Sequence, residues 1–406
     1  MKIKTLMAII LSSASVFLTG CNQLKPGEIY NYGGVHLKEK SLNPKPNLAT
    51  MKWYLDRRLD FYEQKNFYRN RTRIIETEGS NQPRKLEFQL SEDKYVLNEL
   101  NETGLISYLK YENGKVTTDH LTPENRFGDR IKNDTRLESN SVGKSVVSYL
   151  IGHAICQGHI DSIDQNIDDW HDYSGNPLFD NTLYSGQTIR NLLNMRAGDQ
   201  SYVRINDGPL WKAGHPADLS MMGIAVNLQN TKPDSLKYNY NSLPPHILIN
   251  YLRNKLGAEA DQFFNYVFDD YIGVENSVAI ISVSSTDLGN TVFASRHDYL
   301  RLAITILEDW KNDTCVGSYL KKIYKQRQPK RTKYNLNSWT PFNQFTGYGG
   351  FFHTDYYSMR GRNILGMDGL NGQMIWIDLD NERIVVTNAI YRDFDWRKIV
   401  RDVIKD

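Results

Sequence analysis

The spacing of hydrophobic and polar residues differs between the two ends of the chain and its middle. From residue 85 to residue 119, alternating stretches such as Leu105–Tyr111, followed by the polar turn Glu112–Gly114, predict a β-hairpin. After residue 140 the apolar positions recur at the spacing of a helix face. Near the end, Met374–Asp378 and Arg383–Thr387 flank another polar turn and predict a second hairpin.

Strands at both ends around a helical middle predict a mixed α+β or α/β fold. In this fold an antiparallel sheet with flanking helices is built from both chain ends, and a mostly helical domain is inserted. Helices are also predicted at Trp53–Phe67 and, closing the chain, at Trp396–Ile404. The predicted divisions are a signal peptide (1–20), a tether and N-terminal extension (21–85), a sheet domain (86–140 and 336–406) and a helical domain (141–335).

The composition is that of a globular chain with a large core. Of its 406 residues, 40% are hydrophobic and 24% are charged, with 28 Gly, 13 Pro and 3 Cys. These values exclude a disordered chain, a collagen-like chain and a small disulfide-stapled scaffold. At roughly 100–200 residues per domain, the length fits two domains or one interleaved unit.

The N-terminal segment has the pattern of an export signal. Lys2 and Lys4 precede an apolar stretch, Leu6–Leu18, which is shorter than the roughly 20 residues that span a bilayer. The tetrapeptide Leu-Thr-Gly-Cys, which ends at Cys21, resembles the lipobox of bacterial lipoproteins. The resemblance implies cleavage before Cys21, acylation of its sulfur and amino group, and a membrane anchor facing the periplasm; Asn22 implies the outer membrane. The alternative is an ordinary signal peptide with an incidental cysteine.

The charge of the chain is balanced. Removal of Lys2 and Lys4 with the leader leaves 47 basic residues against 47 acidic ones, because no acidic residue precedes Cys21. A net charge of zero provides no excess of positive charge to attract nucleic acid, so we expect no nucleic-acid partner.

Two cysteines remain after the leader. An oxidising periplasm would permit a bridge between Cys156 and Cys315. Cys156, however, lies in an apolar helical segment, where a buried free thiol is the favoured interpretation.

Serine and lysine stand three positions apart at four places, namely Ser91/Lys94, Ser107/Lys110, Ser141/Lys144 and Ser318/Lys321. This S-x-x-K spacing is that of a nucleophilic serine one helical turn before a lysine. Ser141 and Lys144 also surround a Gly-Lys-Ser tripeptide, but a phosphate-binding P-loop needs glycine where Glu138 stands. We therefore set the P-loop aside.

Ser141 alone precedes a long helical pattern. The apolar stripe after it is Val142, Val146, Val147, Leu150, Ile151, Ala154 and Ile155. Gly158 then offers a C-cap. On this helix the Lys144 amine reaches Ser141 Oγ, and the helix dipole favours negative charge at the serine. Ser91 and Ser107 fall in predicted strand or loop segments, and Ser318 begins a basic surface stretch. The alternative is that Ser141 is an ordinary N-cap.

Tyr240 is the second candidate catalytic group. It lies in the loop before a predicted helix that starts with Leu243-Pro244-Pro245 and ends near Gly257. A phenol aimed at a Ser/Lys pair can share a proton with the lysine and return it to the leaving group. The chain has 25 tyrosines, so a tyrosine at a helix entrance is also unremarkable.

Five segments, in order, resemble serine β-lactamase-like proteins of the class C type. They are Thr135–Ser145, Thr188–Gly198, Tyr238–Gly257, Phe293–Tyr299 and Gly366–Gln373 with the strand that follows. Tyr240-x-Ser242 and Gly372-Gln373 are most similar to the nylon-oligomer (aminohexanoate-oligomer) hydrolases and their esterase relatives. The resemblance implies a β-lactamase-like fold, an acyl-enzyme on Ser141, proton transfer by Lys144 and Tyr240, and no cofactor.

The third motif departs from that family. Its members have Lys-Thr-Gly or a histidine variant, but here the segment is Asn363–Met367, without Lys or His. The missing cation normally helps to hold a substrate carboxylate, which argues against penicillin-like acids. By this alignment the oxyanion donors are the backbone N–H groups of Ser141 and Met367, and Ser242, Gly366 and Gly369 contact the substrate.

Other catalytic constellations are missing from the sequence. There is no G-x-S-x-G elbow and no H-E-x-x-H, and we expect no metal site. His297-Asp298 has the look of a catalytic pair, but Asp298 is better explained as a helix N-cap. Two functions remain. One is a serine hydrolase that cleaves an ester or amide of a small molecule, and the other is a non-catalytic penicillin-binding-protein-like lipoprotein that holds a peptide or cell-wall fragment.

Overall fold

The main feature of the computed structural model is an eight-stranded antiparallel sheet. The structure describes residues 28–31, 35–38, 46–63, 74–199, 221–226, 228, 230, 232–233, 235–281, 287–330, 341 and 344–406. In spatial order the strands are β5 (Lys115–Leu121), β4 (Leu105–Glu112), β14 (Arg383–Ala389), β13 (Gln373–Asp378), β12 (Ile364–Gly369), β11 (Phe352–Tyr356), β10 (Phe345–Gly349) and β9 (Gln328–Pro329). Strands from both ends of the chain therefore pair directly, as the sequence predicts.

Two smaller sheets complete the β structure. One has the order β3 (Ile74–Glu76), β7 (Ala279–Ile281), β8 (Thr291–Ala294) and β6 (Leu137–Glu138), and the other pairs β1 (Glu28–Asn31) with β2 (Val35–Lys38). The helices are α1 (Leu48–Glu63), α2 (Lys94–Glu102), α3 (Val142–Cys156), α4 (Ile189–Leu193), α5 (Met221–Val226), α6 (Leu243–Leu256), α7 (Ala260–Asn265), α8 (Arg296–Lys311), α9 (Cys315–Lys325) and α10 (Val403–Lys405). Short 3₁₀ or π turns cover Glu124–Gly128, Gly257–Glu259, Tyr266–Ile272, Leu370–Gly372 and Arg397–Asp402.

Both predicted hairpins are present. The turn between β4 and β5 is Asn113-Gly114, and both residues have positive φ, 53° and 79°. A two-residue turn of this kind matches the twist of the strands it joins, which is why Asn-Gly predicts it well. The second hairpin joins β13 to β14. The mixed fold class is therefore confirmed.

Helix α3 is buried on more than the face that its apolar stripe describes. Each residue from Val142 to Ala154 is buried, including polar side chains such as Ser148 and His153. The helix packs against the helices α6 and α9 and against the strands β8, β12 and β13. The apolar stripe thus describes part of a surface that is covered all round, and the first turn of α3 lies where the large sheet meets the helices.

A disulfide joins α3 to α9. Cys156 is the last residue of α3 and Cys315 is the first residue of α9, and their Cα atoms lie 5.8 Å apart. The expectation of a buried free thiol is wrong, because the sequence pattern places Cys156 on its helix but does not show that Cys315 begins a second helix beside it. Cys156 is only partly buried and Cys315 is exposed.

Helix ends depend on capping residues that the patterns missed. Helix α1 begins at Leu48, five residues before the predicted start at Trp53, and the Asn47 side chain accepts a hydrogen bond from Thr50 N at 2.8 Å. Residues 64–67 of the predicted helix lie outside the described residues. The prediction that Asp298 is an N-cap is wrong, because Ser295 is the N-cap of α8 and accepts from Asp298 N.

The remaining predictions about organisation stay predictions. Helix α8, which falls within 141–335, packs against β13 and β14. No helix in the described part of the chain is long and apolar enough to cross a membrane. Cys21 and the export signal lie outside the described residues.

Candidate active site

Ser141 lies at the start of the buried helix α3, at the end of a tight turn. Asn140, just before it, has a φ of 48°, a left-handed conformation that asparagine tolerates better than most residues. Ser139 anchors the turn to β8, since its N–H donates to Val292 O and its Oγ accepts from Val292 N, both at 2.8 Å. The turn leaves Ser141 half-buried, whereas its neighbours on both sides are buried.

Lys144 directs its amine at the Ser141 hydroxyl. Its Nζ donates a hydrogen bond to Ser141 Oγ at 3.0 Å, as the S-x-x-K spacing on a helix predicts. The lysine is only 4% exposed, and burial lowers its pKa from 10.5 to about 8. A useful fraction of Lys144 is therefore neutral near neutral pH and can accept a proton.

Tyr240 completes a three-residue cluster with Ser141 and Lys144. It lies in the loop before α6, and its side chain is hydrogen-bonded to Ser141. The Lys144 Nζ lies 5.2 Å from the centroid of the Tyr240 ring. Burial, the largest effect, and the charge of Asp368 raise the Tyr240 pKa, whereas the bond to Ser141 lowers it, and the net pKa is above the ordinary value. Tyr240 therefore holds its proton at rest.

The other serine–lysine spacings do not form such a pair. Ser107 Oγ accepts from Arg296 Nε at 2.7 Å, while Lys110 on the same strand forms an ion pair with Glu112 at 2.7 Å. All four pairs lie within the described residues, and among them only Ser141 and Lys144 are hydrogen-bonded to each other. Residues three apart face opposite sides of a strand, which explains why the spacing is uninformative there.

The end of strand β12 contacts the turn at Ser139–Ser141. A Cβ added to Gly369 would lie 2.6 Å from Ser139 O, and the Asn140 side chain donates to Leu370 O at 3.2 Å. Met367 lies two residues earlier, with its side chain in the core. The residues at this end of the strand that contact the turn are therefore Gly369 and Leu370. The assignment of the Met367 amide as an oxyanion donor stays a prediction.

The two other predicted substrate contacts lie on either side of this cluster. Gly366 is packed under the Phe345 ring, because a Cβ there would lie 2.4 Å from the ring. Ser242 is exposed at the start of α6, two residues after Tyr240. Their roles in substrate binding stay predictions.

The comparisons with known proteins concern the fold. No protein-family model matches the sequence, and no curated protein matches it significantly. Solved structures do. A Bacillus anthracis protein described as a 6-aminohexanoate-dimer hydrolase superposes with a TM-score of 0.59 at 13% identity, over 89% of this chain and 98% of its own.

Two further neighbours have the same architecture. The hydrolase EstCE1, which has promiscuous acyltransferase activity, gives a TM-score of 0.52 at 14% identity, over 87% of this chain and 99% of its own. A class C β-lactamase from Rhodobacter sphaeroides gives 0.50 at 15% identity, over 76% and 95%. The fold is the serine β-lactamase-like fold. Within this β-lactamase-like fold, Ser141, Lys144 and Tyr240 lie together at the sheet–helix junction.

A buried basic pair, which the sequence did not reveal, lies beside Tyr240 in this β-lactamase-like fold. His353 on β11 is in register with Gly366 on β12, and Lys330 Nζ lies 2.7 Å from His353 Nδ1. Each is 2% exposed, and burial lowers both pKa values. The Tyr240 ring stacks on the His353 ring with centroids 6.2 Å apart. Although the third motif has no cation, two basic side chains lie next to it, one on β11 and one just after β9.

Arg392 holds the Gly369 end of β12. It forms an ion pair with Asp368 and donates to Gly369 O at 2.7 Å. Asp368 is the carboxylate whose charge raises the Tyr240 pKa. The strand end that contacts the turn at Ser139–Ser141 is thereby held by a charged side chain.

His297 and Asp298 do not form a catalytic pair. His297 Nε2 lies 2.9 Å from Asp119 Oδ2, and Asp119 also pairs with Arg296 at 2.5 Å. Asp298 accepts from backbone amides, including Glu275 N at 2.7 Å. Among the described residues no group of three or more His, Cys, Asp and Glu side chains could hold a metal ion.

Proposed function

We propose that the chain is a serine hydrolase that cleaves an ester or amide bond through an acyl-enzyme on Ser141. The observation that supports this most strongly is the environment of Ser141 Oγ, which accepts from Lys144 Nζ at 3.0 Å and is also hydrogen-bonded to Tyr240. A serine with two proton-transfer groups at a helix N-terminus is the arrangement that activates an alcohol nucleophile.

Lys144 is the better candidate for the initial base. In its neutral form it takes the Ser141 proton while Oγ attacks the substrate carbonyl carbon, and the carbonyl oxygen becomes an oxyanion. The Tyr240 pKa is raised, so its phenol is protonated and is suited to pass a proton to the leaving group, recovering that proton from Lys144. The bond from the carbonyl carbon to the leaving group then breaks, leaving the acyl group on Ser141.

Water completes the cycle. Lys144, neutral again, takes a proton from a water molecule while the water oxygen attacks the acyl carbon. Ser141 regains a proton when the acid leaves. Backbone N–H groups at Ser141 and, on the alignment, Met367 stabilise the oxyanion in both steps. The loss of one such donor costs roughly 3 kcal/mol of transition-state stabilisation.

The side chains around the site favour a small substrate without a carboxylate at the third-motif position. Burial lowers the pKa values of the two basic groups near β12, Lys330 and His353, and so disfavours the charge that a substrate carboxylate would need. The balanced charge of the mature chain provides no steering of anions. Neighbours described as an aminohexanoate-dimer hydrolase and as a hydrolase with acyltransferase activity are consistent with an ester or amide substrate.

A fluorophosphonate probe tests the nucleophile. We expect the wild type to be labelled, Ser141→Ala to be unlabelled, and Ser318→Ala to be labelled as the wild type is. Ser318 is a suitable control because it has the same S-x-x-K spacing but is exposed on α9. No labelling of the wild type, or equal labelling of Ser141→Ala, would reject the hydrolase and favour the alternative of a binding protein for a peptide or cell-wall fragment.

Turnover of short-chain aryl esters beside a cephalosporin tests the substrate class. We expect the esters to be cleaved and the cephalosporin to be left largely intact, because its carboxylate finds no exposed cation on β12. Appreciable cephalosporin hydrolysis would show that the missing third-motif cation does not decide the substrate.

We also propose that lipid on Cys21 anchors the protein to the membrane, in the outer membrane facing the periplasm. The support is the resemblance of the sequence that ends at Cys21 to a lipobox. Several acyl chains on one residue anchor stably, whereas one chain holds only marginally. Replacement of Cys21 by Ala should move the protein from the membrane fraction to the soluble fraction, and unchanged fractionation would argue against the anchor.

A further inference from the structure

A buried carboxylate lies behind the Tyr240 loop. Asp199 is 1% exposed and accepts three side-chain hydrogen bonds: from Asn239 Nδ2 at 2.8 Å, from Asn241 Nδ2 at 2.9 Å and from the Tyr184 hydroxyl at 3.2 Å. Burial raises the Asp199 pKa, and these donors oppose that effect. Two of the three donors are the residues immediately before and after Tyr240.

Asn241 is held in one orientation by the backbone. Its Oδ1 accepts from Leu243 N at 2.9 Å, and its Nδ2 donates to Asn239 O at 3.0 Å as well as to Asp199. The amide cannot flip without losing these bonds, because flipping would place the Nδ2 donor against the Leu243 N–H. Asp199 therefore binds one donor on each side of Tyr240, and the Asn241 donor is fixed in orientation.

The segment that carries Asp199 is itself tied to the large sheet. Leu193 O accepts from Phe351 N at 2.9 Å, and the side chain of Asn194 accepts from Gly350 N at 3.0 Å. Further along the segment, Met195 O accepts from Asn239 N at 2.8 Å. The stretch 193–199 thus links the β10–β11 turn to the Tyr240 loop.

The same turn is bonded to the nucleophile helix. Ser145 Oγ, one turn after Ser141, donates to Phe351 O at 2.8 Å. A continuous set of hydrogen bonds therefore runs from α3 through Phe351 and the 193–199 segment to Asp199 and the loop of Tyr240. This path connects the helix that carries the serine hydroxyl to the loop that carries the phenol.

We propose that Asp199 is a positioning residue that holds the phenol of Tyr240 against Ser141. It does so by accepting hydrogen bonds from Asn239 and Asn241. The proposal rests on the proposed function, in which Tyr240 transfers protons. Proton transfer requires hydrogen-bond reach, and a displacement of about 1 Å can cost about 100-fold in rate.

Replacement of Asp199 by Asn places a donor where an acceptor is needed. One oxygen still accepts from Asn239, but the new amide nitrogen faces the Asn241 amide, which cannot turn away. We expect the rate of fluorophosphonate labelling and the ester kcat to fall about tenfold or more, with little change in KM, because substrate contacts are left in place.

Asp309→Asn is the matched control. Asp309 is also a buried carboxylate that accepts from tyrosine hydroxyls, those of Tyr149 and Tyr271. Tyr149 lies eight residues beyond Ser141 on the same helix, about 12 Å away. This variant should lose stability without the fall in labelling rate, so it separates a general loss of stability from the loss of positioning. If Asp199→Asn does not fold, Asn239→Ala removes one donor at a half-buried site and should slow labelling several-fold.

A double-mutant cycle decides whether Asp199 acts through Tyr240. In a Tyr240→Phe background, Asp199→Asn and Asn239→Ala should have no further effect on the labelling rate. Equal losses with and without the phenol, or a change confined to KM, would overturn the positioning role. These outcomes differ from failure of the proposed function, which would appear as an unlabelled wild type.

Discussion

Replacement of Lys144 by Met should abolish activity and yet stabilise the folded protein at neutral pH. Lys144 is buried against Ser141 and Tyr240, and the lowered pKa means that the folded state disfavours its charge. Methionine has a similar length and volume, no charge and a flexible side chain that fills the same space. The two effects have opposite signs. The lowered pKa that suits Lys144 to act as the proposed base also reflects a cost of burying its charge, which destabilises the folded state.

The magnitude follows from the two pKa values. Burial lowers the Lys144 pKa from 10.5 to about 8, which corresponds at pH 7 to about 3 kcal/mol of destabilisation relative to a neutral side chain. The lost hydrogen bond to Ser141 offsets about 1 kcal/mol, so the variant should gain about 2 kcal/mol. The unfolded chain binds more protons than the folded one between about pH 8 and pH 10.5, so wild-type stability rises with pH relative to the variant across that window. At pH 10 only about 1 kcal/mol of the cost remains and the two proteins should be about equally stable.

Urea denaturation of both proteins at pH 7 and pH 10, with the disulfide intact, measures this difference. The comparison at each pH cancels titrations that the two proteins share. A variant that is less stable than the wild type at pH 7, or a difference that does not change with pH, would refute the assignment of Lys144 as a lysine with a lowered pKa.

Three further outcomes test other parts of the structure. If neutral Lys144 is the base, fluorophosphonate labelling should accelerate about tenfold between pH 7 and pH 9, and a flat profile would exclude that role. Removal of the Cys156–Cys315 disulfide with serines should lower the free energy of unfolding by up to about 5 kcal/mol, since it closes a loop with a sequence separation of 159, and unchanged guanidinium unfolding would contradict this. Gly143→Ala would place a Cβ 1.8 Å from Asn290 O, so it should destabilise by about 3 kcal/mol or more, and an unaltered melting temperature would show that the nucleophile turn can yield.

Local chemistry explains which elements the sequence predicts. Asn113-Gly114 predicts its hairpin because few other pairs adopt two positive φ values. Ser141 and Lys144 are recognisable because the helix period brings residues three apart together, and the bond between them depends on nothing more distant. Tyr240 is predicted in its loop by the prolines that begin the next helix.

The groups that depend on long-range contacts were missed. Lys330 meets His353 because β9 and β11 both pair with β10. No spacing in the sequence encodes the register of these strands. Asp199 has its role only because a loop forty residues later folds onto it. The sequence favoured a free thiol at Cys156 for the same reason. The pairing of Cys156 depends on the position of Cys315, which begins a helix much later in the chain.

The disulfide also determines how the chain behaves if it is cut. Asp199 and Tyr240 lie between Cys156 and Cys315, whereas Ser141 and Lys144 lie before the first cysteine. A single cleavage anywhere from residue 157 to residue 314 therefore leaves the two fragments covalently joined. A nicked protein of this kind would migrate as one species without reductant and as two with it, and the loop of Tyr240 would stay linked to the helix of Ser141 by the bridge.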